Sequence, residues 1–366
     1  MNLEGAVKVS ARLRAGRISD VSILRQRPLL ANRLLAGRTP DEALRLLPNV
    51  FSICGRAQSI VAAAALEAAA GQPAARAVLE RRGRELAAET AAEHAFRLLL
   101  DWPALLGDAG EPELLSRIRS LLLSAPESGT AWGTARDAVI AVIEGRMLGS
   151  PLDPWLEQFS AAEWLQWART GGTPTARTLG ALAALPPWVG DETAPLSRPR
   201  PAQYLEGIGL RALADEGFCA TPVLDDAPAE CGAFARCRLH PAVRDLARRD
   251  RITARAFARL AEFALLLREN SAAGWVESGS PGAGIGVAVG EMARGVLVHA
   301  LRLEQGRIAQ YAIVAPTEWN FHPQGALRAE LEGRPVASAA EGRQALAFAA
   351  ATLDPCVALE VELTDA

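Results

Sequence analysis

The stretch Gly295-Val296-Leu297-Val298-His299-Ala300-Leu301-Arg302-Leu303, followed by Glu304-Gln305-Gly306 and the return Arg307 to Ala315, decides how this chain is read. Its first arm alternates as a strand does. Gln305-Gly306 supplies a short turn, and the second arm runs back to Pro316. That is a β-hairpin over 294–316. The N-terminus holds a second one. Val7, Val9, Ala11 and Leu13 alternate with Lys8, Ser10, Arg12 and Arg14, Ala15-Gly16 turns the chain, and 17–25 returns with Ile18, Val21 and Ile23.

Between the hairpins the pattern is helical. Leu29 to Ala36 reads as a short helix. Thr39-Pro40-Asp41-Glu42 opens the next, with Thr39 as cap, Pro40 at the first helical position and Glu42 closing a capping box; that helix is expected to end by Pro48. The run Ile60-Val61-Ala62-Ala63-Ala64-Ala65-Leu66 to Gly71 is rich in the best helix former, and its small side chains let neighbours approach closely, so it is expected at the centre. Further helices are expected at 74–100, 112–123, 132–147, 158–169 and 241–268, with a proline-rich connection at 186–203 and a glycine-rich loop at 277–286. A closing helix over 346–353 runs into Asp354-Pro355-Cys356. The expected fold class is α+β and mainly helical, with small antiparallel hairpins at 6–25 and 294–316 around a helical core at 28–268, all in one domain over 1–366.

Composition narrows the partners. Of 366 residues half are apolar, enough for a large core, and the net charge is −3. That balance gives no reason to expect nucleic acid or an anionic membrane. Five cysteines at irregular spacing do not form a secreted disulfide framework. The N-terminus lacks the basic-then-apolar pattern of a signal peptide, and no uncharged apolar run reaches the roughly 20 residues of a membrane span. The expectation is a soluble, cytoplasmic protein whose thiols stay reduced and able to bind metal.

Cys54 and Cys356 are the residues with the most chemical scope. Cys54 sits at the start of the Ala-rich helix, two residues before Arg56, and both the helix N-terminus and the guanidinium favour a thiolate. A thiolate is a soft-metal ligand and a nucleophile; a small buried hydrophobe is the plain alternative. Cys356 follows Asp354-Pro355, where the proline stiffens the backbone just before the thiol. Cys219, Cys231, Cys237 and His240 lack the close cysteine pairs of structural zinc sites and read as ordinary residues. His94 reads as a hydrogen-bonded core histidine. The loop Gly279–Gly286 lacks the Lys-Ser/Thr of a phosphate-binding loop and reads as a turn. No Ser/His/Asp set and no paired carboxylates stand out.

In order along the chain, several segments resemble the large subunit of nickel–iron hydrogenases. Glu291-Met292-Ala293-Arg294-Gly295 is similar to that family's Ala-Pro-Arg-Gly segment, and Pro316-Thr317-Glu318-Trp319-Asn320 to its Pro-Thr/Ser-x-Trp-Asn. Glu230-Cys231-Gly232-Ala233-Phe234-Ala235-Arg236 looks like Glu-Thr-Gly-x-Leu-Ala-Arg, and Leu3-Glu4-Gly5 like an N-terminal Ile-Glu-Gly. Ile53-Cys54-Gly55 and Asp354-Pro355-Cys356 look like its two metal-binding motifs. Both ends of the chain are covered well, the middle thinly. Each metal motif of the enzyme is a Cys-x-x-Cys followed by His. Here Ala57 and Leu359 stand at the second cysteines, and Val61 and Glu362 at the histidines. A four-thiolate nickel site cannot be built from what remains.

This departure is the pattern of the HupK/HoxV group of hydrogenase maturation proteins. The resemblance implies a non-catalytic scaffold. It would hold an Fe(CN)2(CO) fragment transiently on Cys54 and Cys356, with no nickel, before transfer to the large-subunit precursor. Arg294 and Thr317 match the family residues that donate hydrogen bonds to the cyanides. The implied partners are a HypC-type chaperone, the HypC–HypD iron-assembly complex and the large-subunit precursor. A metal-free chaperone that docks on the same partners is the alternative. Only ten residues follow Cys356, so no counterpart of a hydrogenase precursor's cleavable tail is expected.

Overall fold

In the computed structural model, which describes residues 5–365 except 26–30, 52, 73, 125–128, 158–159 and 270–273, the N-terminal hairpin pairs β1 (Ala6–Arg14) with β2 (Arg17–Arg25). Ala15 and Gly16 take φ of 48° and 72°, the paired left-handed conformation of a tight two-residue turn. Leu3 and Glu4 of the Leu3-Glu4-Gly5 segment lie outside the described residues. So do Leu29 and Leu30 of the first expected helix, whose described part is Ala31–Leu35.

Helix α1 (Pro40–Val50) has the capping box that Thr39 and Glu42 signal: Thr39 N–H donates to Glu42 Oε2 at 2.8 Å and Glu42 N–H to Thr39 Oγ1 at 3.4 Å. It does not end by Pro48. Pro48 lies in the last turn, and the Phe51 N–H closes that turn on the Leu47 carbonyl at 3.0 Å. Helix α2 (Gly55–Ala69) is the Ala-rich run, and α3 (Arg76–Phe96) continues into a wider π-helical turn over Arg97–Asp101. Outer helices follow at Pro112–Leu123, Gly129–Ile143, Ala161–Thr170 and Pro174–Leu182; positions 158 and 159 of the expected 158–169 helix are outside the described residues. The helix expected over 241–268 is broken. Asp250 accepts from the Thr253 N–H at 2.8 Å and starts a new helix, α4 (Arg251–Arg268), after Pro241–Ala247.

The glycine-rich stretch is not a loop. It forms β3 (Val276–Gly282) and the start of β4 (Ile285–Met292), so the hairpin of β5 (Gly295–Glu304) and β6 (Arg307–Val314) is half of a four-stranded antiparallel sheet in the order β3-β4-β5-β6. The glycines are there for packing. A Cβ at Gly286 would fall on the Ala65 carbonyl and one at Gly290 on the Val61 side chain, so bare backbone on β4 lets α2 lie directly on the sheet. Helix α5 (Pro316–Asn320) follows β6, and α6 (Ala339–Thr352) starts earlier than 346, because Ser338 accepts from the Glu341 N–H at 3.2 Å. After Cys356 comes a strand the sequence did not lead us to expect. β7 (Ala358–Asp365) runs parallel to β1, pairing Val7 with Leu359 and Val9 with Val361, and makes a three-stranded sheet β2-β1-β7.

The mainly helical α+β expectation therefore holds, with larger sheets than two isolated hairpins. Helix α4 is buried along almost its whole length and centres one core with Trp102, Trp155 and Trp164. A second core lies between α2 and one face of the four-stranded sheet, and a third on the opposite face. Among the described residues, no helix is long and apolar enough to cross a membrane.

Placing a methyl between α2 and β4 is expected to overpack the contact. Gly286→Ala should lower the unfolding free energy by about 1–3 kcal/mol. Gly133→Ala, in an outer helix with no atom near its added Cβ, should raise it by about 0.5–1 kcal/mol. Urea unfolding of the two variants beside the parent checks both signs.

Candidate functional site

Cys54 is the N-cap residue of α2, and its side chain makes no capping bond. The first-turn donors are satisfied from outside. Glu89 on α3 accepts the N–H groups of Arg56 and Ala57 at 3.2 and 3.0 Å. Burial pushes the Glu89 carboxyl up to about 7 against those two donations, and Glu93 one turn further raises it too. Arg56 is exposed and donates its guanidinium to the Leu123 carbonyl at 3.0 Å. Arg294 is a cation in electrostatic reach of both Cys54 and Cys356.

The last turn of α6 sets Cys356. The Asp354 N–H closes on the Ala351 carbonyl at 3.1 Å, and Asp354 then takes φ 64°, a left-handed conformation that aspartate tolerates better than most side chains. Its buried carboxylate lies among three guanidiniums: Arg97 Nε at 2.6 Å, Arg259 Nη1 at 2.9 Å and Arg294 Nε at 3.7 Å. Burial pushes the Asp354 carboxyl up, but Arg259, Arg97 and Arg294 outweigh it and hold the group well below the usual carboxylate range. Arg97 also donates to the Pro355 carbonyl at 2.7 Å, clamping the residue before the thiol.

Cys54 and Cys356, three hundred and two positions apart, line one cavity of about 330 Å³ together with Leu47, Phe51, Tyr311 and Ala315. Thr317 Oγ1 and Cys356 Sγ share a hydrogen bond at 2.9 Å. Arg294 does not line this cavity. It faces a small void of about 10 Å³ with Arg259, Asn320 and Asp354, donates Nη2 to Glu93 at 2.9 Å, and among the described residues its Nη1 finds no hydrogen-bond acceptor although the side chain is buried. Asn320 ties these segments together. Its Nδ2 reaches the carbonyls of Arg294 and Leu353, each at 3.2 Å, and its Oδ1 accepts from the Cys231 N–H at 2.9 Å.

The other cysteines are Cys219, Cys231 and Cys237. None of the five is in a disulfide, and burial pushes the Cys231 and Cys237 thiols up and that of Cys219 to about 12. Cys219 lines the same cavity as Cys54 and Cys356. His240 stacks on Trp164 at 4.9 Å rather than facing a metal set. His94 is a core histidine: Nε2 donates to Glu262 at 2.7 Å and Nδ1 accepts from Arg259 at 3.0 Å. Among the described residues no group of three or more His, Cys, Asp or Glu side chains could hold a metal ion. The positions of the missing ligands have structural duties instead. Ala57 and Val61 are buried on α2, Leu359 pairs with Val7 in the sheet, and Glu362 forms an ion pair with Lys8 at 2.9 Å. Arg97 and Glu89 carry much of the site and no motif marks them. The one signal for Arg97 is a lone arginine between Phe96 and Leu98-Leu99-Leu100.

A nickel-dependent hydrogenase family model matches residues 246–361. The hydrogenase expression/formation protein HoxV of Cupriavidus necator is 34% identical, with 98% of this chain and 97% of that protein covered. The corresponding HupK of Rhizobium leguminosarum bv. viciae is 33% identical, covering 99% and 97%. Among solved structures, the nickel–iron–selenium hydrogenase of Desulfovibrio vulgaris Hildenborough superposes with a TM-score of 0.60 at 15% identity over 93% of this chain and 94% of that one, and the enzyme of Desulfomicrobium baculatum with 0.55 at 16% over 94% and 95%. These structures share the fold.

Asp354→Asn keeps the backbone conformation and removes the charge that the arginines share. It should lower the unfolding free energy at neutral pH by about 3–5 kcal/mol, since an uncompensated buried charge is left behind. The sign of its pH dependence follows from the depressed folded-state value. The aspartate's contribution is fully present above the ordinary carboxylate range and is lost as pH falls through the folded value. The gap between parent and variant in urea unfolding should therefore be constant above about pH 5 and close at lower pH.

Proposed function

The chain belongs to the HupK/HoxV family of hydrogenase expression/formation proteins, and from that premise we propose that it is a single-domain, non-catalytic assembly scaffold in nickel–iron hydrogenase maturation. In this reading Cys54 and Cys356 hold an Fe(CN)2(CO) fragment as cargo, without nickel, until it passes to the large-subunit precursor. A HypC-type chaperone and the HypC–HypD complex would supply it.

The observation that carries this reading is the meeting of Cys54 and Cys356 at one cavity, from opposite ends of the chain. An iron that already carries three diatomic ligands needs few from the protein. Two thiolates suit it, and release it more readily than four would. The hydroxyl of Thr317 stands beside Cys356, and Arg294, which faces the neighbouring void rather than the cavity, keeps a buried Nη1 hydrogen to give; both are donor types that suit an anionic cyanide nitrogen. With Ala57 and Leu359 at the other two positions, nothing bridges to a second metal.

The metal-free reading has its own support. No three-ligand group exists among the described residues, and a docking chaperone asks nothing of the thiols, so family membership and fold already suffice for it. The two readings part on the cysteines. Protein produced beside the maturation machinery should show infrared bands of bound cyanide and carbon monoxide that vanish in Cys54→Ala and in Cys356→Ala. A double variant that still complements a deletion strain, from a parent without such bands, would establish the docking chaperone instead.

A further inference from the structure

We propose that Gln58, held in place by His299 and Tyr311, is a positioning residue for Cys54. Its amide N–H is donated to the Cys54 sulfur and sets where that sulfur faces. This deepens the scaffold reading, since it concerns the same thiol, but the relay itself is a property of the iron-free chain.

Three buried polar side chains lie in a row inside the apolar core between α2 and the sheet. Gln58 is 1% exposed, His299 0% and Tyr311 2%. Gln58 stands one helical turn after Cys54, and its own N–H is bonded to the Cys54 carbonyl at 3.0 Å. Its Nε2 lies 3.8 Å from Cys54 Sγ, within reach of the larger sulfur atom. Its Oε1 lies 2.9 Å from His299 Nε2, and His299 Nδ1 lies 2.7 Å from the Tyr311 hydroxyl.

The protons along this row follow from one another. An amide whose nitrogen faces the sulfur presents its oxygen to the imidazole. That oxygen only accepts, so His299 carries its hydrogen on Nε2. Nδ1 is then an acceptor, and Tyr311 must donate its O–H. Burial favours each of these states, pushing the imidazole down to about 3 and the phenol up, so His299 is neutral and Tyr311 protonated. Every donor points toward Cys54. Burying three polar side chains among Ala57, Val61, Leu297 and Leu301 costs desolvation that leucines of similar volume would avoid. A row whose last hydrogen lands on a sulfur gives that cost a purpose. The bond strengthens when the sulfur is anionic or bound to a metal. It leaves Cys54 held by the core and Cys356 held by Thr317.

The tautomer decides the direction. Nitrogen-15 NMR of His299 in the iron-free full-length protein should show a neutral ring with hydrogen on Nε2 from pH 5 to 8. Hydrogen on Nδ1 would reverse the row and overturn the proposal. Tyr311→Phe keeps the ring and removes the anchoring hydroxyl, and should give a mixture of tautomers; an unchanged tautomer would show that Tyr311 does not hold it. In protein loaded beside the maturation machinery, Gln58→Leu should keep the carbon monoxide band but move it to lower wavenumber. A sulfur freed of its hydrogen bond donates more charge to iron and strengthens back-donation. A band in the parent that does not move in Gln58→Leu overturns the role. If Gln58→Leu does not fold, the smaller shift expected in Tyr311→Phe carries the same decision. Absence of any band in the parent would sink the iron reading, while the histidine tautomer still decides the relay.

Discussion

A single carboxylate organises this molecule. Asp354 sits among Arg97, Arg259 and Arg294, which come from the π-helical turn after α3, from α4 and from the loop between β4 and β5. Three guanidiniums buried beside one another would repel and leave their charge unanswered, and the structure tolerates them because Asp354, with Glu93 and Asp101, answers it. The arrangement forces four separate segments to meet at a fixed distance. It also holds Asp354 in a left-handed backbone conformation, so that Pro355 and Cys356 leave the helix in one direction only.

The second thiol is placed by packing rather than charge. Cys54 is where it is because α2 lies on β4 with glycine backbone beneath it, and because Glu89 closes the exposed first turn of the helix. One cysteine is therefore positioned by an ion cluster and the other by a close helix-to-sheet contact. The cavity forms where the two mechanisms meet. A change that loosens either element would separate the thiols without touching them.

How much of this was legible in the sequence depended on the kind of signal. Alternation in residues 6–14 and 295–303 and the Thr39 capping box act locally, and the elements they announce are present. The glycines at 279–286 misled because glycine marks turns and close approaches alike, and only the neighbour, α2, distinguishes the two. The strand β7 went unseen because its partner, β1, lies at the far end of the chain. Cys54 and Cys356 were singled out from their positions at a helix start and after Asp-Pro, and Arg294 and Thr317 through family resemblance; Arg56, at an exposed helix start, reaches the Leu123 carbonyl instead of the core. Glu89, Arg97 and Gln58 left no pattern, since their roles depend on which groups the fold brings to them. An arginine or glutamine inside an apolar helix face is the trace they leave, and it says that a partner exists without saying which.

The parallel pairing of β7 with β1 has a consequence for how the molecule comes into being. Its strands come from residues 6–14 and 358–365, about as far apart in sequence as the chain allows. During synthesis β1 and β2 emerge early, yet the edge of β1 that β7 covers stays open until residues 358–365 have left the ribosome. Contacts of such long sequence separation form late and slowly. Cys356, just before β7, is thus set at the cavity it shares with Cys54 only once β7 has docked. A chain cut before residue 356 would present one thiol without the other, so a cavity lined by both thiols reports that these two distant strands have paired.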